Sequence, residues 1–449
     1  MAIVFLLVIV ALALIGLARP FYGFLGLMVV SILQPGELYP VLAPLHMERT
    51  LGIVVLASFL LHGQRLQFPV ITKHFLAFYA AMWLAVPLAF WRGNSLQACI
   101  GFAPMVVYHL LIVSMLTDID RFRKYLIVFA GLTGYLAGSA YWQYHKGVMQ
   151  VTMDIDRAYG LTSSGGDPNS LANTLVFSLP LVYLLMTKDN SKKVRLLALS
   201  VFGISLVTII STGSRTAFFT FILLVLLTVL RNKKNWKFLP LLPIAGLFLW
   251  MAIPQQYKAR YETVDHLAND LSYQNRVRSW HGGIQMFLSN PLTGIGPNNY
   301  AIANGEKFWP GYPRVWLNAH SLYFQMLGEV GLIGMVAWYS FLVRMLVVNF
   351  RTAQKIRGDP ARPSYLRQFP GMCNIALIAM LVAGYSSHSL YRDTWYSLAA
   401  LSGAVQLLVG RQQEDASSAK EDVREGARPN RLLVPLPVRP SVRNARQVV

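Results

Sequence analysis

Residues 196–230 read LLALSVFGISLVTIISTGSRTAFFTFILLVLLTVL, two apolar runs parted only by the turn Ser211-Thr212-Gly213-Ser214-Arg215. At ~1.5 Å of rise per residue, each run is long enough to cross most of a ~30 Å hydrocarbon layer as a helix. A helix satisfies its own backbone, as lipid requires. The stretch therefore reads as a transmembrane hairpin with one arginine in its turn.

Working outward, the pattern repeats. Apolar runs occupy 2–17, 21–33, 50–61, 75–91, 100–116, 125–144, 169–187, 196–212, 216–230, 238–253, 320–343, 371–388 and 395–409. Only Ala18-Arg19-Pro20 separates the first two, which form either two thin spans or one interrupted element, so 12 or 13 spans are expected. Hydrophobic residues make up 55% of the chain and charged residues 13%, with mean hydropathy +0.44. A soluble domain carries about a quarter charged residues. The fold expected is an all-α polytopic membrane protein with one large periplasmic loop at about 255–318. Its transmembrane domain spans 1–410. The segment 411–449, rich in Arg, Glu, Ser and Pro, reads as a disordered basic cytoplasmic tail. No cleavable signal peptide is expected, because no basic region precedes the first run.

Loops rich in Lys and Arg stay cytoplasmic. Lys188 to Arg195, Arg231 to Lys237, and Arg344 to Arg367 mark three such loops, and the tail adds more basic residues. Alternation then turns the 145–168 loop, the 211–215 turn and the 255–318 stretch outward. Much of the +20 net charge is thus topological, and nucleic acid is not an expected partner. Cys99 and Cys373 lie in or beside apolar runs and give neither a metal-ligand spacing nor a disulfide framework.

Candidate chemistry gathers on the outward side. Arg215 in its short turn has a bland reading, an arginine snorkelling to the interface. Against that, small donors surround it at a helix start, and a helix N-terminus favours an anion. Arg276 and Arg278 stand two apart, on different faces of a helix, so at most one points into a site. Arginine presents a planar fork suited to phosphate oxygens. His320 opens the run after the long polar stretch; its ordinary pKa near 6.5 suits a general base. The other eight histidines read as polar caps near interfaces. Asp154-Ile155-Asp156 is formally a D-x-D, but no further acidic cluster accompanies it, and no metal is expected. Gly294-Ile295-Gly296 follows no strand and reads as a turn rather than a dinucleotide loop.

Four patches, in order, resemble the O-antigen ligase and polymerase superfamily. They are Arg157-Ala158-Tyr159-Gly160 through Asp167-Pro168-Asn169-Ser170; Ser214-Arg215-Thr216-Ala217; Arg276 with Trp280 and then Asn290 to Pro297; and His320-Ser321 followed by Gly328 to Gly334. Arg19-Pro20-Phe21-Tyr22-Gly23 with Gln34-Pro35 is similar to the subgroup of O-glycosylation ligases associated with exosortase systems. The resemblance implies an inner-membrane enzyme with its site facing the periplasm and no cofactor. The donor would be a glycan on a polyprenyl diphosphate. The acceptor would be a hydroxyl of a lipid (lipid A core), a protein or another surface polymer, and membrane lipids would surround the site. The family's essential residues map onto Arg215, Arg276 and His320, with Arg278 the fallback and Arg157 and Asn169 supporting. Arginines would hold the diphosphate without a metal while His320 takes the acceptor proton, and one displacement inverts the anomeric centre. A repeat-unit polymerase shares these motifs. A transporter or flippase for lipid-linked glycans would need charges deep within spans, where the sequence shows almost none.

Overall fold

The computed structural model describes residues 2–152, 155–160, 166–252, 271–309 and 312–426. Each of the thirteen apolar runs coincides with a helix. They are α1 (Ala2–Ala18), α2 (Pro20–Leu33), α3 (Met47–Leu61), α4 (Val70–Ala85), α5 (Arg92–Met115), α6 (Ile119–His145), α7 (Pro168–Leu184), α8 (Lys192–Ser211), α9 (Arg215–Leu230) and α10 (Leu241–Ala252), with α11 (Leu271–Ser289) following in the polar stretch. The last three runs become α12 (Leu322–Ile356), α13 (Ser364–Gly384) and α14 (Asp393–Gly426). A two-stranded antiparallel hairpin, β1 (Gln150–Thr152) with β2 (Ile155–Arg157), sits between α6 and α7.

The all-α polytopic class is therefore observed. Where 12 or 13 spans are expected, seven helical segments among the described residues are long and apolar enough to cross a membrane, and Ile3–Ala18 and Arg215–Leu230 are apolar but shorter. Lipid contact is written on α12. Val336, Val343 and Phe350, seven residues apart, are 61%, 57% and 62% exposed, while Trp338, Phe341 and Met345 on the other side are fully buried. The chain divides into two compact units, Met1–Leu408 and Val409–Val449. Helix α14 continues past Gly410, so the first part of the tail expected to lack structure is helical; residues 427–449 lie outside the described residues.

The stretch 255–318 is not a simple aqueous loop. Its first part falls outside the described residues, but α11 packs on α12, and Met286, Ile295, Tyr300 and Ala303 form a buried cluster. The segment Pro291–Gly296 explains how. Helix α12 is broken at Gly331 (φ 54°, ψ −161°), which frees backbone groups that the protein interior cannot leave unpaired. The segment takes them up: Ile295 N donates to Gly328 O at 2.8 Å and Gly296 N to Glu329 O at 3.0 Å. In return, Leu332 N and Ile333 N donate to Pro291 O and Leu292 O at 2.8 and 3.0 Å. Gly294 (φ 65°) lets the backbones meet, since a Cβ there would lie 2.5 Å from the Glu329 carbonyl carbon. The glycines of the expected turn thus clasp a broken helix.

Helix ends sort into two groups. At one end Arg123 Nε donates to Asn190 Oδ1 at 2.9 Å, and Ser364 N donates to Asp189. This joins the heads of α6 and α13 to the α7–α8 loop. At the other end lie the heads of α7, α9, α12 and α14, the tail of α13 and the β-hairpin.

Candidate functional site

The site is built from those helix ends. Asp167 caps α7, accepting from Asn169 N at 2.9 Å and Ser170 N at 3.1 Å, with Pro168 at the first helical position, a favoured N-terminal pairing. Burial raises the Asp167 carboxyl, and the hydrogen bonds from Ser170 and Asn169 outweigh it, leaving the pKa below its ordinary value. Arg157, at the end of β2, is only 4% exposed. Its Nε donates to Thr212 O at 2.7 Å and its Nη2 to Asn169 Oδ1 at 2.9 Å. Ala158 N adds a bond to Ser211 O at 2.9 Å. Arg157 therefore braces the 211–215 turn against the head of α7.

That turn ends in Ser214, whose hydroxyl accepts from Ala217 N and caps α9. Arg215 is the first residue of the helix. The N-terminal end of a helix carries partial positive charge and favours an anion. Next to it, Thr216 Oγ1 meets Ser386 Oγ at 2.8 Å, tying the head of α9 to the loop after α13.

His320 adopts a left-handed backbone conformation (φ 46°), uncommon for a residue with a Cβ and often found where a site is held under strain. Helix α11 anchors the two residues before it. Ser279 Oγ donates to Asn318 O at 3.0 Å, and Trp280 Nε1 donates to Ala319 O at 2.8 Å. The Trp280 ring stacks on Phe324 at 5.1 Å and meets Tyr385 edge-on at 5.4 Å. The His320 imidazole lies edge-to-face with that of His388, centroids 5.3 Å apart. Burial, then the charges of His388 and Arg276, push the His320 pKa down to about 4, with Asp167 opposing. His388 is also lowered, by burial first and then by Arg392 and Arg276. It is exposed to a cavity, yet the surrounding protein still displaces enough water to disfavour its charged form. Arg392 completes the ring: its Nη1 donates to Thr174 Oγ1 at 3.1 Å and to Ser170 O at 3.4 Å on α7.

The fold thus brings His320 and Arg276 within electrostatic reach and sets Arg215 on the adjoining turn. It also joins Arg157 to Asn169, though Arg157 spends its guanidinium on the protein. Arg278 is exposed, and Arg276 is the one of the pair whose charge acts on both imidazoles. Asp154 lies outside the described residues. Sequence reasoning passed over His388 and Arg392. Their signal was Ser386-Ser387-His388-Ser389 and Arg392-Asp393 at the head of a late apolar run, which reads as ordinary capping.

Residues 200–339 match the family model described as O-antigen ligase. This segment is similar to O-antigen ligase domains. It holds Arg215, Arg276 and His320, whereas Arg157, Asn169, His388 and Arg392 come from outside it. No curated protein matches the chain. Among solved structures, a chain from "Structural coordination of polymerization and crosslinking by a peptidoglycan synthase complex" aligns at 16% identity, covering 76% of this chain and 98% of that one, with a TM-score of 0.40.

Beside His320 and His388 lies a cavity of about 800 Å³. Asn318, His388 and Arg392 stand on its wall, as does Glu329, which is fully buried on α12. Glu329 is thus an ionisable group within the spans, where the sequence shows almost none. The Glu329 carboxylate is engaged, accepting from Tyr300 N at 3.2 Å and Gln325 Nε2 at 3.3 Å.

Proposed function

We propose that the protein moves a glycan from a polyprenyl-diphosphate carrier to an acceptor hydroxyl at the periplasmic face of the inner membrane, with inversion and without a metal. The observation carrying this reading is the convergence of His320, His388 and Arg276 beside the helix that Arg215 heads.

Arg215 and Arg276 receive the diphosphate, with the α9 N-terminus adding its partial positive charge. The acceptor oxygen attacks the anomeric carbon as the bond from that carbon to the diphosphate oxygen breaks. The electron pair leaves with the diphosphate, whose growing negative charge the cations stabilise. His320 takes the acceptor's proton and becomes imidazolium. Its lowered pKa keeps it unprotonated at neutral pH, so it is ready as a base. The incoming anion raises that pKa, strengthening the base when it is needed. Arg157, Asn169 and Trp280 hold the parts in place.

The test uses protein in nanodiscs with a fluorescent glycan on undecaprenyl diphosphate and EDTA present. The expected result is transfer to a hydroxyl acceptor with release of undecaprenyl diphosphate and reversed anomeric configuration. Strict dependence on added Mg²⁺ or Mn²⁺, or retained configuration, overturns the mechanism. A ladder of repeat units on the carrier assigns the polymerase variant of the same chemistry.

A further inference from the structure

The cavity next to His388 differs in character from the cation-rich ring. Arg157, Arg215 and Arg276 lie outside its wall, while Glu48, Glu329 and Asp393 line it together with Arg49 and Arg392. Glu48, from the first turn of α3, and Asp393, from the first turn of α14, are close enough for each charge to act on the other. Arg392 already spends donors on α7. A diphosphate entering here would meet three carboxyl groups. Hydroxyl donors would instead find acceptors in Asp393, in Glu48, which already accepts from Ser31 Oγ at 2.6 Å and so shows its readiness for a hydroxyl, and in Asn298 and Asn318, both on the wall.

Deeper in, the wall turns apolar. Met105 on α5, Phe129 on α6, Leu181 on α7 and Leu401 on α14 line it. From Ser170 to Leu181 the cavity follows α7 for roughly 17 Å at ~1.5 Å per residue. A polar mouth over a long apolar shaft fits one amphipathic molecule. A volume of about 800 Å³ is within the ~300–1,000 Å³ usual for ligand sites.

We infer that this cavity is the acceptor's own chamber, separate from the diphosphate site, and that it takes a molecule with an uncharged, hydroxyl-rich head and an apolar chain. The head sits between Glu48 and Asp393 with one hydroxyl delivered past His388 to His320, and the chain lies in the shaft. This rests on the proposed transfer reaction for its biological meaning, but the chamber can be tested without it.

Gly101 on α5 faces the cavity, and a Cβ there meets nothing within 4 Å, so a large side chain fills the space without a clash at its root. Ala98, one turn earlier, also lines the wall. Binding is measured in nanodiscs with a fluorescent-tailed alkyl glucoside, the same tail on a phosphate, and a tailless glucoside. The expected order is alkyl glucoside tightest, with tenfold or greater weakening in Gly101→Trp and in Ala98→Phe. Glu48→Ala should also weaken it several-fold, while Arg215→Ala and Arg276→Ala leave it unchanged. Tighter binding of the alkyl phosphate, or loss of glucoside binding in the arginine variants, would assign the cavity to the donor and overturn the inference. So would equal binding of the tailless glucoside, or folded filling variants that bind as wild type. Should the alkyl glucoside bind as expected while no glycan transfer occurs, the transfer reading fails and the chamber stands. Should transfer occur without such binding, the chamber fails and the transfer reading stands.

Discussion

At the scale of single residues, His320 carries two constraints, a left-handed backbone and an imidazole. Asparagine tolerates that backbone region and caps helices well. His320→Asn therefore keeps the geometry and removes only the base. Transfer in membranes, matched for protein level, should fall about 10²–10⁴-fold, the usual contribution of general-base catalysis; near-normal transfer would return His320 to a capping role. The pH dependence has a definite sign. A base with its pKa held at about 4 is unprotonated at neutrality, so kcat/KM should stay level as pH falls toward 5. It should then drop through the acid limb as the imidazole gains its proton. Because His388 adds to the depression, His388→Asn should shift that limb upward while retaining part of the activity. The two imidazoles titrate as a pair, so the limb reports both. An unmoved limb would show that His388 has no part in setting the base. Arg276→Lys should lose most transfer despite its charge, since an ammonium lacks the planar fork; a variant as active as wild type would reduce Arg276 to a source of field.

Among the elements, the break in α12 decides how His320 is presented. The half-helix from Leu322 to Gly331 is held by backbone bonds to Pro291–Gly296, and α11 holds the residues just before it. Gly331→Ala meets both a positive φ, costing ~1 kcal/mol for a residue with a Cβ, and a Cβ 2.8 Å from the Leu292 carbonyl. The expected outcome is several degrees' loss of melting temperature in detergent, together with loss of transfer. Gly101→Ala, whose Cβ enters open space, should leave the melting temperature within a degree or so. Equal behaviour of the two would mean the clasp does not depend on a glycine at 331. The helices themselves were legible in the sequence because lipid imposes long apolar runs that need no partner to be recognised. The clasp was not, because Gly294 and Gly296 meet Gly328 and Gly331 only after α11 folds back on α12. A glycine pair read locally is only a turn. The burial of Met286, Ile295 and Tyr300 was hidden for the same reason, their neighbours being polar in sequence.

For the whole molecule, the order of Arg215, Arg276 and His320 along the chain was readable, and the fold does draw them to one end of the bundle. His388 and Arg392 escaped because they close the ring from the far side, across the α13–α14 loop, where one histidine looks like any other cap. Glu48 and Asp393 escaped similarly: each sits in the first turn of its helix, where an acidic residue is ordinary, and only packing sets them across one cavity. What the fold does determine is that these groups share an end opposite the loops near Asn190 and Ser364. We propose the sidedness from charge: the end near Ser364 carries Lys355, Arg357, Arg362 and Arg367, and loops of that kind remain cytoplasmic, which would send the site outward. Cys99 and Cys373 are both buried, so native thiols should stay silent toward a membrane-impermeant maleimide. Tyr312 is 96% exposed at the site end, and Lys355 is exposed at the other. In intact spheroplasts Tyr312→Cys should label at once and Lys355→Cys only after permeabilisation. The reverse pattern would put the imidazole pair in the cytosol, where a glycan presented on the outer leaflet could not reach it.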